Sequence, residues 1–150
     1  MSDVERTAGY LTQRDINKLK TILIKSFKTG DSIKQINDRI KQEIHIPDQY
    51  KMENDKLLVD ENGNKILSLS SAERSIMITR TETTRTATGG ALTNYENNQI
   101  EQVKFLASMS QRTCPECESL NGKIYSVNEA YSVIPVHPYC RCTFLPVVKE

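Results

Sequence analysis

Cys114-Pro115-Glu116-Cys117 and His137-Pro138-Tyr139-Cys140 are two pairs of metal-ligating side chains, each with a gap of two residues, and nineteen residues separate the pairs. A two-residue gap lets one tight turn aim both side chains at a common point, and two such turns supply the four donors of a tetrahedral zinc site. Pro115 and Pro138 sit inside the turns and stiffen them by fixing φ. The expected ligands are therefore Cys114, Cys117, His137 and Cys140. With three thiolates and one imidazole, the protein fills every coordination position and leaves none for an activated water, so the zinc is expected to be structural. Binding would move the formal net charge from +1 to 0, and Arg112, Lys123 and Arg141 lie close enough in sequence to offset the excess negative charge of the site. Free core thiols or a redox Cys-x-x-Cys are the competing uses; a second matched pair suits neither.

Cys142 is a fifth candidate for four places. On the premise that Cys140 and Cys142 reach one ion only if the backbone bends at Arg141, Cys140 is expected to ligate and Cys142 to be a buried spare. All four cysteines fall between 114 and 142, in a chain whose N-terminus lacks the charged-then-apolar plan of a signal peptide, which favours metal over disulfides. His45 has no neighbour to complete a site and is expected at the surface or at a helix end.

The elements that must position these residues are legible from periodicity. Over residues 12–28, Ile16, Leu19, Ile22, Leu23 and Phe27 recur at three- and four-residue steps, predicting a helix capped by Thr12 with one buried face and Arg14, Lys18 and Lys25 on a solvated stripe. Gly30-Asp31 stops it, and Ser32 caps a second helix whose Ile33, Ile36, Ile40 and Ile44 form one stripe. Two short apolar runs, 56–60 and 65–69, flank Glu61-Asn62-Gly63-Asn64 and predict a hairpin. Ser70-Ser71-Ala72-Glu73 reads as a capping box, but six threonines and Gly89-Gly90 follow, so propensity alone leaves helix and strand open there. Residues 103–109, 123–127 and 143–148 read as strands of a small sheet whose loops hold every cysteine.

At 150 residues the chain has room for one compact domain, perhaps with a tail, and with 6% aromatic residues its core is expected to be thin. Twenty basic against nineteen acidic side chains exclude the strongly basic balance of a dedicated nucleic-acid binder. Residues 1–44, 45–70 and 71–150 carry +3, −2 and 0, so any basic face lies near the N-terminus. No apolar run approaches the roughly 20 residues of a membrane span.

Three blocks together carry a resemblance: Arg80-Thr81-Glu82-Thr83-Thr84-Arg85, then residues 110–125 around Cys114 and Cys117, then His137-Pro138-Tyr139-Cys140-Arg141-Cys142-Thr143. In order and spacing the chain resembles the phage head-morphogenesis family of minor capsid proteins, typified by the F protein of phage Mu, over roughly residues 30–147. The resemblance implies that the Arg-Thr-Glu block lies on a long helix, which favours helix over residues 71–98, about 40 Å at 1.5 Å per residue. It also supports Cys140 over Cys142, since relatives often carry serine at the latter position. Asn121 departs from the family's usual aspartate.

The expected fold class is α+β, with N-terminal helices and a long central helix packed on a small β-sheet bearing a structural zinc knuckle; residues 1–30 are expected to be a helical extension and 31–150 the family domain. The resemblance implies a minor head protein of the virion, met in the bacterial cytoplasm during assembly, with the portal or the inner capsid and scaffold proteins as partners. A zinc-stabilised DNA-binding module is the alternative, resting mainly on Arg14, Lys18, Lys20, Lys25 and Lys28. No catalytic residue is expected. Arg80, Glu82 and Arg85 suggest a carboxylate flanked by cations, but on a helix Glu82 and Arg85 are i,i+3 ion-pair partners, and Arg80 is expected to tie the helix to the knuckle loop.

Overall fold

The computed structural model describes residues 11–148, so residues 1–10 of the expected N-terminal extension lie outside the described residues. The fold is α+β. It divides into two compact units, Met1–Arg80 and Thr81–Glu150, and each has its own apolar core.

The first unit begins with α1 (Gln13–Thr29) and α2 (Ile33–Glu43). Thr12 caps α1 by accepting a hydrogen bond from Asp15 N, and Gly30 ends it in the left-handed conformation at φ 71°. Ser32 and Gln35 form a reciprocal capping box at the start of α2. Ile16, Leu19, Ile22 and Leu23 are buried, as their spacing predicts. Phe27 is not: it is 44% exposed, and Ser26 is buried instead. At 100° per residue Ser26 falls between Ile22 and Leu19 at the centre of the buried arc, whereas Phe27 falls about 20° beyond Ile16, at its edge. Lys18 also leaves the expected solvated stripe, its Nζ donating to Glu43 O at 3.1 Å at the C-terminal end of α2. Ile36, Ile40, Ile44 and Ile46 complete this core together with Ile78.

A surface meander follows: β1 (Gln49–Tyr50), β2 (Met52–Glu53), β3 (Lys56–Leu57) and β4 (Leu67–Leu69). The expected hairpin around Asn62-Gly63 exists only as an isolated bridge between Val59 and Lys65, with Asp60 and Asn64 closing the turn. The regular ladders pair β2 with β3 and β1 with β4. Asn54 and Asp55 make the tighter turn, at φ 50° and 62°. Two successive positive φ values are what a two-residue hairpin turn of matching twist requires, and Asn and Asp tolerate them.

The long helix α3 (Ser71–Asn97) spans 27 residues. Ser70 and Glu73 cap it reciprocally, Ser70 N donating to Glu73 Oε2 at 2.8 Å. Its threonines do not break it, because their hydroxyls turn back on the helix: Thr79, Thr86 and Thr93 donate to the carbonyls of Ser75, Glu82 and Gly89, four residues earlier. In the first unit, Arg74 is buried and donates to Pro47 O, while Ser75 and Thr79 donate to Asn37 Oδ1.

The second unit holds a three-stranded antiparallel sheet in the order β6–β5–β7, from β5 (Gln102–Leu106), β6 (Ile124–Ser126) and β7 (Thr143–Pro146). Val103 pairs with Tyr125 and Pro146, and Phe105 with Phe144. The inner face carries Val103, Phe105 and Phe144, the two phenylalanine rings meeting edge to face at 5.8 Å. Tyr95 of α3 donates its hydroxyl to Phe144 O at 3.2 Å. Two short helices, α4 (Pro115–Leu120) and α5 (Val127–Ala130), lie in the connections.

Candidate metal centre

The first ligand pair sits on a helix start. Cys114 is the N-cap of α4 with Pro115 in its first turn, and its Sγ accepts the backbone N–H of Cys117 at 3.3 Å. The i,i+3 spacing of Cys114 and Cys117 is thus one helical turn, entered by a proline whose fixed φ suits the first helical position. The preceding loop is held by Thr113, whose hydroxyl donates to Ser108 O and accepts from Ser110 N at 2.9 Å. Behind it, Asn121 Oδ1 accepts from Ala107 N at 3.0 Å, a bond that an aspartate carboxylate would also accept.

The second pair sits on a β-turn. Cys140 N donates to His137 O at 3.1 Å, Pro138 is at the second position, and Tyr139 takes φ 63° at the third. Proline followed by a positive φ is the type II arrangement. A non-glycine residue there carries about 1–2 kcal/mol of backbone strain, so outside contacts must hold the turn. They come from α3: Tyr139 N donates to Thr81 Oγ1 at 3.1 Å, and Thr84 Oγ1 donates to Cys140 O at 3.1 Å.

The turns bring five donor atoms together as two overlapping triads, Cys114–Cys117–His137 and Cys117–Cys140–Cys142, each with its donors within 4.8 Å of one another. His137 Nε2 lies 3.3 Å from Cys114 Sγ and 3.1 Å from Cys117 Sγ, and its Nδ1 faces Pro138 O at 2.7 Å. A proton on Nδ1 bonded to that carbonyl leaves the Nε2 lone pair directed at the sulfurs, the tautomer a metal needs. Around tetrahedral zinc, sulfur and nitrogen ligands stand about 3.6 Å apart, so the contacts of His137 with Cys114 and Cys117 need open by only a few tenths of an ångström, while the fourth donor, from the second triad, would have to close on the first. The donor set is soft, all four cysteines are free thiols and three are buried, so the residues fit zinc.

The electrostatics agree. The N–H of Cys117 pulls the Cys114 thiol below its ordinary pKa, as expected at a helix N-terminus. Burial first, then the neighbouring thiols, push Cys117 well up, and burial raises Cys142. A buried cluster of thiols resists ionisation by itself; a dication is the charge that makes thiolates of them.

Each expected ligand lies in this cluster, and so does Cys142. The premise that a bend must separate Cys142 from Cys140 does not hold. Residues two apart on an extended chain share a face, and the alternation of buried Cys140, exposed Arg141, buried Cys142, exposed Thr143 and buried Phe144 continues the β7 pattern back into the loop. His45 is exposed and outside the cluster.

Arg80 differs from its expected role. It is exposed, whereas Thr81 beside it is fully buried. The side chains that hold the knuckle turn are Thr81 and Thr84, one helical turn apart. Glu82 is 2% exposed and pairs with Arg85 Nε at 3.0 Å, the i,i+3 ion pair that the spacing predicts.

A family model described as Phage Mu protein F like matches residues 17–145. The chain belongs to that family. The match begins inside α1 and covers the cysteine and histidine cluster as well as the Thr81–Thr84 support. No curated protein and no solved structure matches the chain. Membership marks it as a phage head-morphogenesis protein. Among the described residues no helix is long and apolar enough to cross a membrane.

Proposed function

We propose that the chain is a minor head protein that joins the assembling phage capsid through the portal or the inner shell, with a structural zinc ion holding its second unit together. The family match over residues 17–145 carries the first part. The second is supported by the donor cluster of two overlapping triads, from which this reading takes Cys114, Cys117, His137 and Cys140 as the four ligands. Four protein donors leave the ion no open position, so its contribution is folding energy, about 10–16 kcal/mol in small zinc domains. The protein's work is then done by surface. On α1, Ile24 and Phe27 stand 55% and 44% exposed and three residues apart, so they share the outer face of the helix and offer apolar area to a protein partner.

Co-purification from a phage lysate tests this reading. The tagged chain should bring down portal or inner-shell protein, and Ile24→Asp with Phe27→Asp should weaken that capture while leaving the helical circular dichroism unchanged. No head association of the full chain would refute it. Recovery of DNA instead, lost steeply with added salt, would establish the DNA-binding alternative. Elemental analysis should find one zinc per chain.

A further inference from the structure

Resting on the zinc reading above, we propose that the fourth ligand position is degenerate: Cys140 and Cys142 are interchangeable donors to one ion whose other ligands are Cys114, Cys117 and His137.

Both sulfurs lie within 4.8 Å of Cys117 Sγ and of each other, and both side chains are buried, at 1% and 6% exposure. Cys117 is the member common to both triads, so an ion seated on it has Cys114 and His137 on one side and two thiols on the other. Tetrahedral zinc has room for one more ligand.

The backbone explains why neither thiol is excluded. Cys140 is fixed from in front, by the turn bond to His137 O and the Thr84 hydroxyl on its carbonyl. Cys142 is fixed from behind, because Thr143 pairs with Leu106 in the sheet. Arg141 between them points outward and donates to Ser110 Oγ at 3.2 Å, which keeps its neighbours facing inward. The Cys140 and Cys142 sulfurs lie within 4.8 Å of each other and of Cys117 Sγ, so moving the ion's fourth bond between them needs side-chain rotation and no change of fold.

The test is Co²⁺ and Zn²⁺ titration of the reduced full chain and of Cys140→Ser, Cys142→Ser and the double variant, each refolded with metal. Charge-transfer absorbance of the Co²⁺ form counts sulfur ligands, and circular dichroism reports folding. The wild type and both single variants should each take one equivalent with three sulfur ligands, the single variants within about tenfold of wild-type affinity. The double variant should fall to two sulfur ligands and lose at least a hundredfold in affinity. Loss of metal, or failure to refold with it, in one single variant only would show a unique fourth ligand and overturn the inference while the zinc reading stands. Four sulfur ligands or two equivalents in the wild type would overturn it as well. A wild type that binds no metal would overturn the zinc reading itself.

Discussion

Thr81→Val is the sharpest probe of how the long helix supports the metal site. Valine keeps the shape of a fully buried side chain but removes the oxygen that accepts Tyr139 N at 3.1 Å. A partly buried donor left without its acceptor costs about 1–3 kcal/mol. The lost bond also stops opposing the strain of Tyr139 at φ 63°, so the cost falls on the turn that carries His137 and Cys140. At about 2–4 °C per kcal/mol for a chain of this size, the zinc-loaded protein should melt roughly 2–12 °C lower. Supporting bonds behind metal ligands are worth about 10–100-fold in affinity, and zinc transfer to a chromogenic chelator should quicken in proportion. Thr81→Ser keeps the acceptor and should retain near-normal zinc transfer. Arg80→Ala, one residue away and exposed, should change stability by less than about 0.5 kcal/mol. If Thr81→Val melted and released zinc like the wild type, or if Arg80→Ala did the greater damage, the support assigned to Thr81 would be wrong.

Gly90→Ala should raise stability by about 0.5–1 kcal/mol in a chemical denaturation series, because Gly90 lies inside α3 and an added Cβ would meet nothing within 4 Å. Glu82→Gln should cost about 1–3 kcal/mol, since Arg85 would lose its charge partner yet keeps 23% exposure to water; unchanged stability with loss of a measurable activity would revive a catalytic role for this carboxylate. Glu73 should titrate below its ordinary value of 4.5, because the Ser70 backbone N–H and then the Ser70 hydroxyl bond its carboxylate. Its contribution to capping α3 is present above that value and fades as pH falls through the lower folded midpoint, so a shift titration by NMR with a midpoint at or above 4.5 would contradict the cap.

The parts of this structure that were legible in advance are those specified within four residues. Thr12, Ser32 and Ser70 cap helices because each hydroxyl accepts an N–H three positions on. Cys114 to Cys117 and His137 to Cys140 likewise each span a single turn. What was not legible depends on distant partners. Thr81 meets Tyr139 58 residues away, and Thr84 meets Cys140 56 residues away. Nothing local distinguishes those two threonines from the five others on the same helix. The Asn54-Asp55 turn was masked by the stronger Asn-Gly signal a few residues on. For Cys142 the local signal is the two-residue spacing itself, which on an extended chain puts it on the same face as Cys140.

The two separate cores bear on how the chain comes into being on the ribosome. Every buried member of the first core, from Leu19 to Ile78, has been synthesised before any cysteine is made, and none is a metal ligand. The remaining stretch to Cys142 takes roughly 3–13 s at about 5–20 residues per second. During that interval the nascent chain already contains every residue of the first core, ahead of a segment whose donor cluster is still incomplete. Any metal that the cluster takes up is therefore captured late, once Cys140 and Cys142 have joined Cys114, Cys117 and His137, and the first core contributes no donor to it.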